Sequence, residues 1–226
     1  LEWSGGFSND YWRFFVELGF LNGVLHVLWS SGLLDLDVGP LIPPFAAALV
    51  SEKQPELAEL AYQRVADEFG YSEWVEPALL ALAEMRVKQG KIDEAMVMFD
   101  RVFRTVPTSA GAGLAVKRAA DLLVEKGQHA DAMKRYQEVL EVKEWRGELW
   151  PESLLKIGDC LMAQGNLREA FAYYQRVYVL YQHYARWTAL AYLRAATVSE
   201  KLGVKADAIT QLKELLAIED LKETPE

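Results

Sequence analysis

The sequence is poor in the residues that most chemistry needs. It has one cysteine, Cys160, and three histidines, His26, His129 and His183. A lone thiol cannot close an internal disulfide. Cys160 lies in an apolar stretch, not beside a histidine or lysine that would lower its pKa, so nothing marks it as a nucleophile. The histidines are far apart, and none has a second histidine four residues away, as a metal-binding helix would require. No glycine-rich phosphate loop, no strand pattern and no Gly-x-Ser-x-Gly motif occurs. No catalytic residue, no metal site and no cofactor is therefore predicted. An excess of basic charge is also lacking: 24 lysines and arginines face 33 acids, a formal charge of -9, which argues against a nucleic-acid partner and serves solubility. An unbroken membrane-spanning run is missing too. Residues 14–34 are mostly apolar, but Glu17, Gly19, Asn22 and His26 interrupt them, so they read as buried soluble helices and not as a membrane span. The chain starts at Leu1 without an initiator methionine, which is expected of a processed product or an excised segment.

What is present is a repeat. Gly90, Gly127, Gly165 and Gly203 recur at intervals of 37, 38 and 38 residues. Five residues after each comes an alanine, Ala95, Ala132, Ala170 or Ala208. Four residues further comes a large residue, Phe99, Tyr136, Tyr174 or Leu212, and three beyond that Val102, Val139, Val177 or Leu215. These spacings trace one helical face. Seven residues before each glycine is a small residue, Ala83, Ala120, Gly158 or Ala196, with Leu79, Val116, Leu154 or Tyr192 one turn earlier. The pattern predicts two antiparallel helices per repeat, turning at a glycine that ends the first helix in the left-handed conformation. Small residues on both helices let the backbones approach closely. Glu94, Asp131, Glu169 and Asp207 fall in the first turn of the second helices, where the helix dipole favours a negative charge.

These positions resemble the tetratricopeptide-repeat family, which places small residues at the helix crossing, an aromatic in the second helix and often a proline at its end. Pro107 matches that last feature; Glu144, Gln182 and Asp220 do not, and the interval exceeds the family's usual ~34 residues. The longer turns are similar to those of the bacterial cell-envelope branch, including outer-membrane-assembly lipoproteins and Tol-Pal accessory proteins. The resemblance implies an all-α, right-handed superhelical stack of helix hairpins. Its repeats would be about 39–72, 76–109, 113–146, 151–184 and 189–222, the earliest copy being degenerate: Ala58, Tyr62 and Val65 keep its second-helix spacing, but Lys53 replaces the turn glycine. Residues 1–38, aromatic-rich and without a recognisable copy, are expected to cap the stack or continue a missing upstream portion, and their aromatic face is an alternative to the concave groove as the partner-binding surface.

The resemblance implies binding of a protein or peptide partner, because in this family the first helices line a concave groove. Two sets of residues are candidates. On the first helices stand the acids Glu84, Asp121 and Asp159 and the bases Arg118, Lys156 and Arg194, able to pair along a helix or between repeats, or to read a peptide of mixed charge. Near the end of the third complete repeat Tyr178, Tyr181 and Trp187 could pack against the next repeat or anchor a partner. An architectural spacer within a longer solenoid and an enzyme-regulating subunit are the alternative functions. Partner identity and oligomeric state are left open, and the compartment is left between the periplasm or cell envelope and the cytoplasm.

Overall fold

The computed structural model describes residues 55–70 and 72–218. Among the described residues there are nine α-helices and no strand. They are α1 (Pro55–Glu68), α2 (Val75–Lys88), α3 (Ile92–Thr105), α4 (Ala110–Glu125), α5 (His129–Glu141), α6 (Leu149–Ala163), α7 (Leu167–Leu180), α8 (Ala185–Lys201) and α9 (Lys205–Ala217), with a single 3₁₀ turn at Lys143–Trp145 before α6. Residues 1–38, the first helix of the earliest repeat and the candidate membrane stretch lie outside the described residues.

The four repeat glycines make the hairpin corners. Gly90, Gly127, Gly165 and Gly203 adopt φ of 74°, 74°, 82° and 80°. Left-handed backbone of this kind costs a residue with a Cβ roughly 1–2 kcal/mol, so the sequence places glycine there. Each corner closes with the same pair of bonds: Gly90 N–H donates to Val87 O and Lys91 N–H to Arg86 O, both at 2.9 Å, and the other three corners repeat this. These bonds satisfy carbonyls that the ending helix leaves free.

The small residues sit at the crossings. Ala83, Ala95, Ala120, Ala132 and Ala170 are fully buried. A methyl group on Gly158 would come within 2.5 Å of the Tyr174 ring, so at that crossing even alanine is too large. Phe99, Tyr136, Tyr174, Val102, Val139 and Val177 fill the space between second helices and the next repeat. Ala58, Tyr62 and Val65 do the same on α1.

The last hairpin departs from the pattern. Leu212, in the register of Tyr136 and Tyr174, is 39% exposed, and Gln211 is buried instead, accepting a hydrogen bond from Ser199 Oγ at 3.2 Å. The physical reason is that α9 has no further helix packed on it among the described residues, whereas α3, α5 and α7 are each covered by the next first helix.

Successive first helices touch directly, α2 with α4, α4 with α6 and α6 with α8, whereas successive second helices make no comparable contact among the described residues. The second helices instead reach each other through long side chains, Arg101 to Asp67 at 3.1 Å and Arg135 to Asp100 at 2.9 Å. In a curved stack the elements on the inside of the curve are the closer ones, so the first helices form the inner wall.

Candidate binding wall on the first helices

One ion pair crosses each junction of the wall. Arg118 Nε on α4 meets Glu84 on α2 at 2.9 Å, Lys117 Nζ on α4 meets Glu152 on α6 at 2.6 Å, and Arg194 Nε on α8 meets Asp159 on α6 at 3.2 Å. All six side chains are partly solvated, so each pair contributes at most about 1 kcal/mol. Their effect is to fix register between repeats, leaving a wall of alternating charge already neutralised across its junctions.

Two of the acids are held from behind as well. Tyr136 Oη donates to Asp121 at 2.6 Å and Tyr174 Oη donates to Asp159 at 2.8 Å. Each bond joins the first helix of a hairpin to its own second helix. Burial, together with the adjacent carboxylate, pushes both phenols far above the usual tyrosine range. Lys117 also reaches Asp121, at 3.2 Å. Burial works against the Lys117 charge, but the bond to Glu152 and the two nearby carboxylates outweigh it and leave its pKa raised.

The structure thus brings together Glu84 with Arg118 and Asp159 with Arg194, but not Asp121 with Lys156. Asp121 is engaged by Tyr136 and Lys117, and Lys156 makes no ion pair among the described residues. Sequence reasoning missed Lys117, Glu152 and both tyrosine–aspartate bonds. A signal for the bonds existed. Tyr136 and Tyr174 each stand 15 residues after an aspartate, whereas Phe99 stands 15 after Glu84 and Leu212 15 after Thr197, so hydroxyl and aspartate come and go together.

The aromatic candidates divide differently. Tyr178 is buried, stacked on Tyr192 at 4.2 Å and 15°, and burial pushes its phenol up to about 12. Trp187 is buried too, its Nε1 donating to Glu148 at 3.1 Å. Tyr181 is half-buried at the end of α7, with Tyr184 6.4 Å away. Cys160 is buried in the same core, and its thiol is pushed up to about 11 by burial and by Asp159, against the pull of Lys156 one turn earlier. That lysine is the charged neighbour the linear reading passed over. Among the described residues no group of three or more histidine, cysteine or acidic side chains could hold a metal ion, and no helix is long and apolar enough to cross a membrane.

A tetratricopeptide repeat-like domain model matches residues 45–186, more than half of the chain. The chain belongs to the tetratricopeptide repeat-like family, and its fold is that family's right-handed α-solenoid. Among solved structures it is similar to MamA residues 41-end from Desulfovibrio magneticus RS-1, with a TM-score of 0.61 at 13% identity over 84% of this chain and 100% of that one. Another MamA structure gives a TM-score of 0.62 at 16% identity over 84% and 98%. YrrB, described as a TPR protein with an unusual peptide-binding site, gives 0.54 at 21% identity over 79% and 85%. At these identities the likeness is one of fold. No curated protein matches the chain in sequence.

Proposed function

We propose that this chain is a non-catalytic protein-interaction scaffold that receives a partner peptide or protein segment along the wall of first helices. The observation that carries this reading is a pair of uncovered leucines beside the ion-pair ladder: Leu114 on α4 is 51% exposed and Leu193 on α8 is 46% exposed. Leu114 lies one turn before Lys117 and Arg118, and Leu193 adjoins Arg194. Apolar anchors ringed by polar groups are the usual composition of a binding surface. YrrB, a relative in fold, is a peptide-binding protein by its description. The partner segment that fits carries an apolar anchor flanked by both charge signs, and it associates faster at low salt. The long turns, similar to those of the bacterial cell-envelope branch, suit an assembly in the envelope or the cytosol.

The test uses the leucines and spares the acids. Asp121 and Asp159 hold the hairpins together through Tyr136 and Tyr174, so reversing them would disturb the fold along with any binding. A Leu114→Ser, Leu193→Ser double variant should keep native helicity by circular dichroism. It should bind a partner recovered and identified with the native protein about tenfold more weakly, a loss of about 1.4 kcal/mol. Full affinity in the double variant removes the wall as the site and favours the architectural spacer.

A further inference from the structure

The edge of the stack opposite the glycine corners carries the connections between repeats. Two of them meet there: the connection from α5 to α6 brings Arg146 and Gly147, and the one from α7 to α8 brings Tyr181 and Tyr184. The Tyr184 hydroxyl lies against Gly147, with only 3.9 Å to where a Cβ would stand. Arg146 lies over the ring of Trp150, its Cζ 4.8 Å from the centroid. Its charge is felt at the Tyr181 phenol, whose pKa is raised by burial and partly pulled back by this guanidinium. Leu180, next to Tyr181 in the chain, is 64% exposed. Beneath this layer Tyr178 and Trp187 are buried and form a rigid floor, and exposed Glu148 accepts a hydrogen bond from the Trp187 indole.

The polar groups of this patch are unclaimed. Among the described residues no carboxylate pairs with Arg146, and the Tyr181 and Tyr184 hydroxyls have no hydrogen-bond partner. This is the reverse of the inner wall, where every junction is bridged internally. A guanidinium steadied on an indole presents its planar fork ready for a carboxylate, and arginine, tryptophan and tyrosine are the side chains that dominate interface energetics.

We propose that this edge is a second docking site, distinct from the inner wall, which takes an acidic peptide segment: a carboxylate on Arg146, with a neighbouring aliphatic or aromatic side chain laid on Leu180, Tyr181 and Tyr184. Charge complementarity selects the occupant. Arg146 is exposed and has no carboxylate partner among the described residues, exposed Arg186 lies on the Trp187 ring nearby, and Glu148 already accepts from the Trp187 indole. The apolar area beside Arg146 calls for a non-polar neighbour to the acid.

The probe is a fluorescein-labelled peptide with the core Leu-Asp-Phe between Gly-Ser flanks, compared with its Leu-Asn-Phe counterpart. Fluorescence anisotropy should show saturable binding of the aspartate peptide and about tenfold weaker binding of the asparagine one. In nitrogen-15 spectra the Trp150 indole signal should move on binding. Arg146→Ala, at an exposed position, should keep native helicity, bind the aspartate peptide about tenfold more weakly and lose the preference for aspartate. The proposal is overturned if the native protein does not bind the aspartate peptide, or if Arg146→Ala binds it as tightly as the native protein. It is equally overturned if the Leu114→Ser, Leu193→Ser variant loses the peptide while Arg146→Ala keeps it, because the peptide would then sit on the inner wall.

Discussion

Single residues in this molecule are tuned by what packs against them, and Cys160 makes that measurable. Its folded pKa of about 11 stands above the ordinary value of 9.0 because burial and Asp159 disfavour the thiolate. A raised pKa means the folded state holds the proton more tightly. The thiol's contribution to stability is therefore fully present below pH 9 and is lost as pH rises from 9 towards 11. The urea midpoint of the native protein should fall across that interval, and Cys160→Ala should fall less. Lys117 and the tyrosines, whose pKa values are also raised, add their own losses higher in the alkaline range and are common to both proteins. Equal alkaline slopes for the two proteins would sink the attribution.

At the scale of elements, the connections hold as much structure as the helices. Trp145, in the 3₁₀ turn between α5 and α6, is buried and reaches back to α4, where a Cβ on Gly113 would meet its ring at 2.9 Å. Phe103 of α3 meets the ring edge-on at 5.9 Å and 64°. One side chain thus ties α3 and α4 to the turn that follows α5. Trp145→Ala should cost about 3–5 kcal/mol, read as a lowered urea midpoint, and a loss below about 1 kcal/mol would show that the ring is not a core element. No periodic reading could find it, because the equivalent positions of the neighbouring repeats are Thr108 and His183, which do not share its indole. The hairpins, by contrast, were legible: glycine at four corners and alanine at the crossings repeat at fixed offsets, and periodicity is how a helix face declares itself in sequence. The wall was legible in part. Arg118 and Arg194 share a register and both reach an acid one repeat back, but Lys156 in the same register does not, because Tyr136 and Lys117 had already claimed Asp121. Competition between neighbours is a property of three dimensions and leaves no mark on spacing.

On the scale of the whole molecule, each hairpin depends on its neighbours, as in any linear stack. The middle of the described solenoid is supported from both sides: α4 and α5 contact α3 on one side and α6 on the other. Among the described residues α9 packs on α8 and on no later helix, with Ile209, Leu212 and Leu216 exposed. This one-sided packing of α9 sets a direction for the breathing of the described stack. Backbone amides of α9 should exchange with deuterium fastest among the helices from α2 onward, those of α4 to α6 slowest, and protection should fall stepwise from α6 through α8 to α9. Uniform protection across α4 to α9 would mean that the stack opens only as a single unit. A graded profile would mean that the described stack loosens hairpin by hairpin from α9 inward, so that a ligand seated at α8 would slow exchange in α9 without touching it.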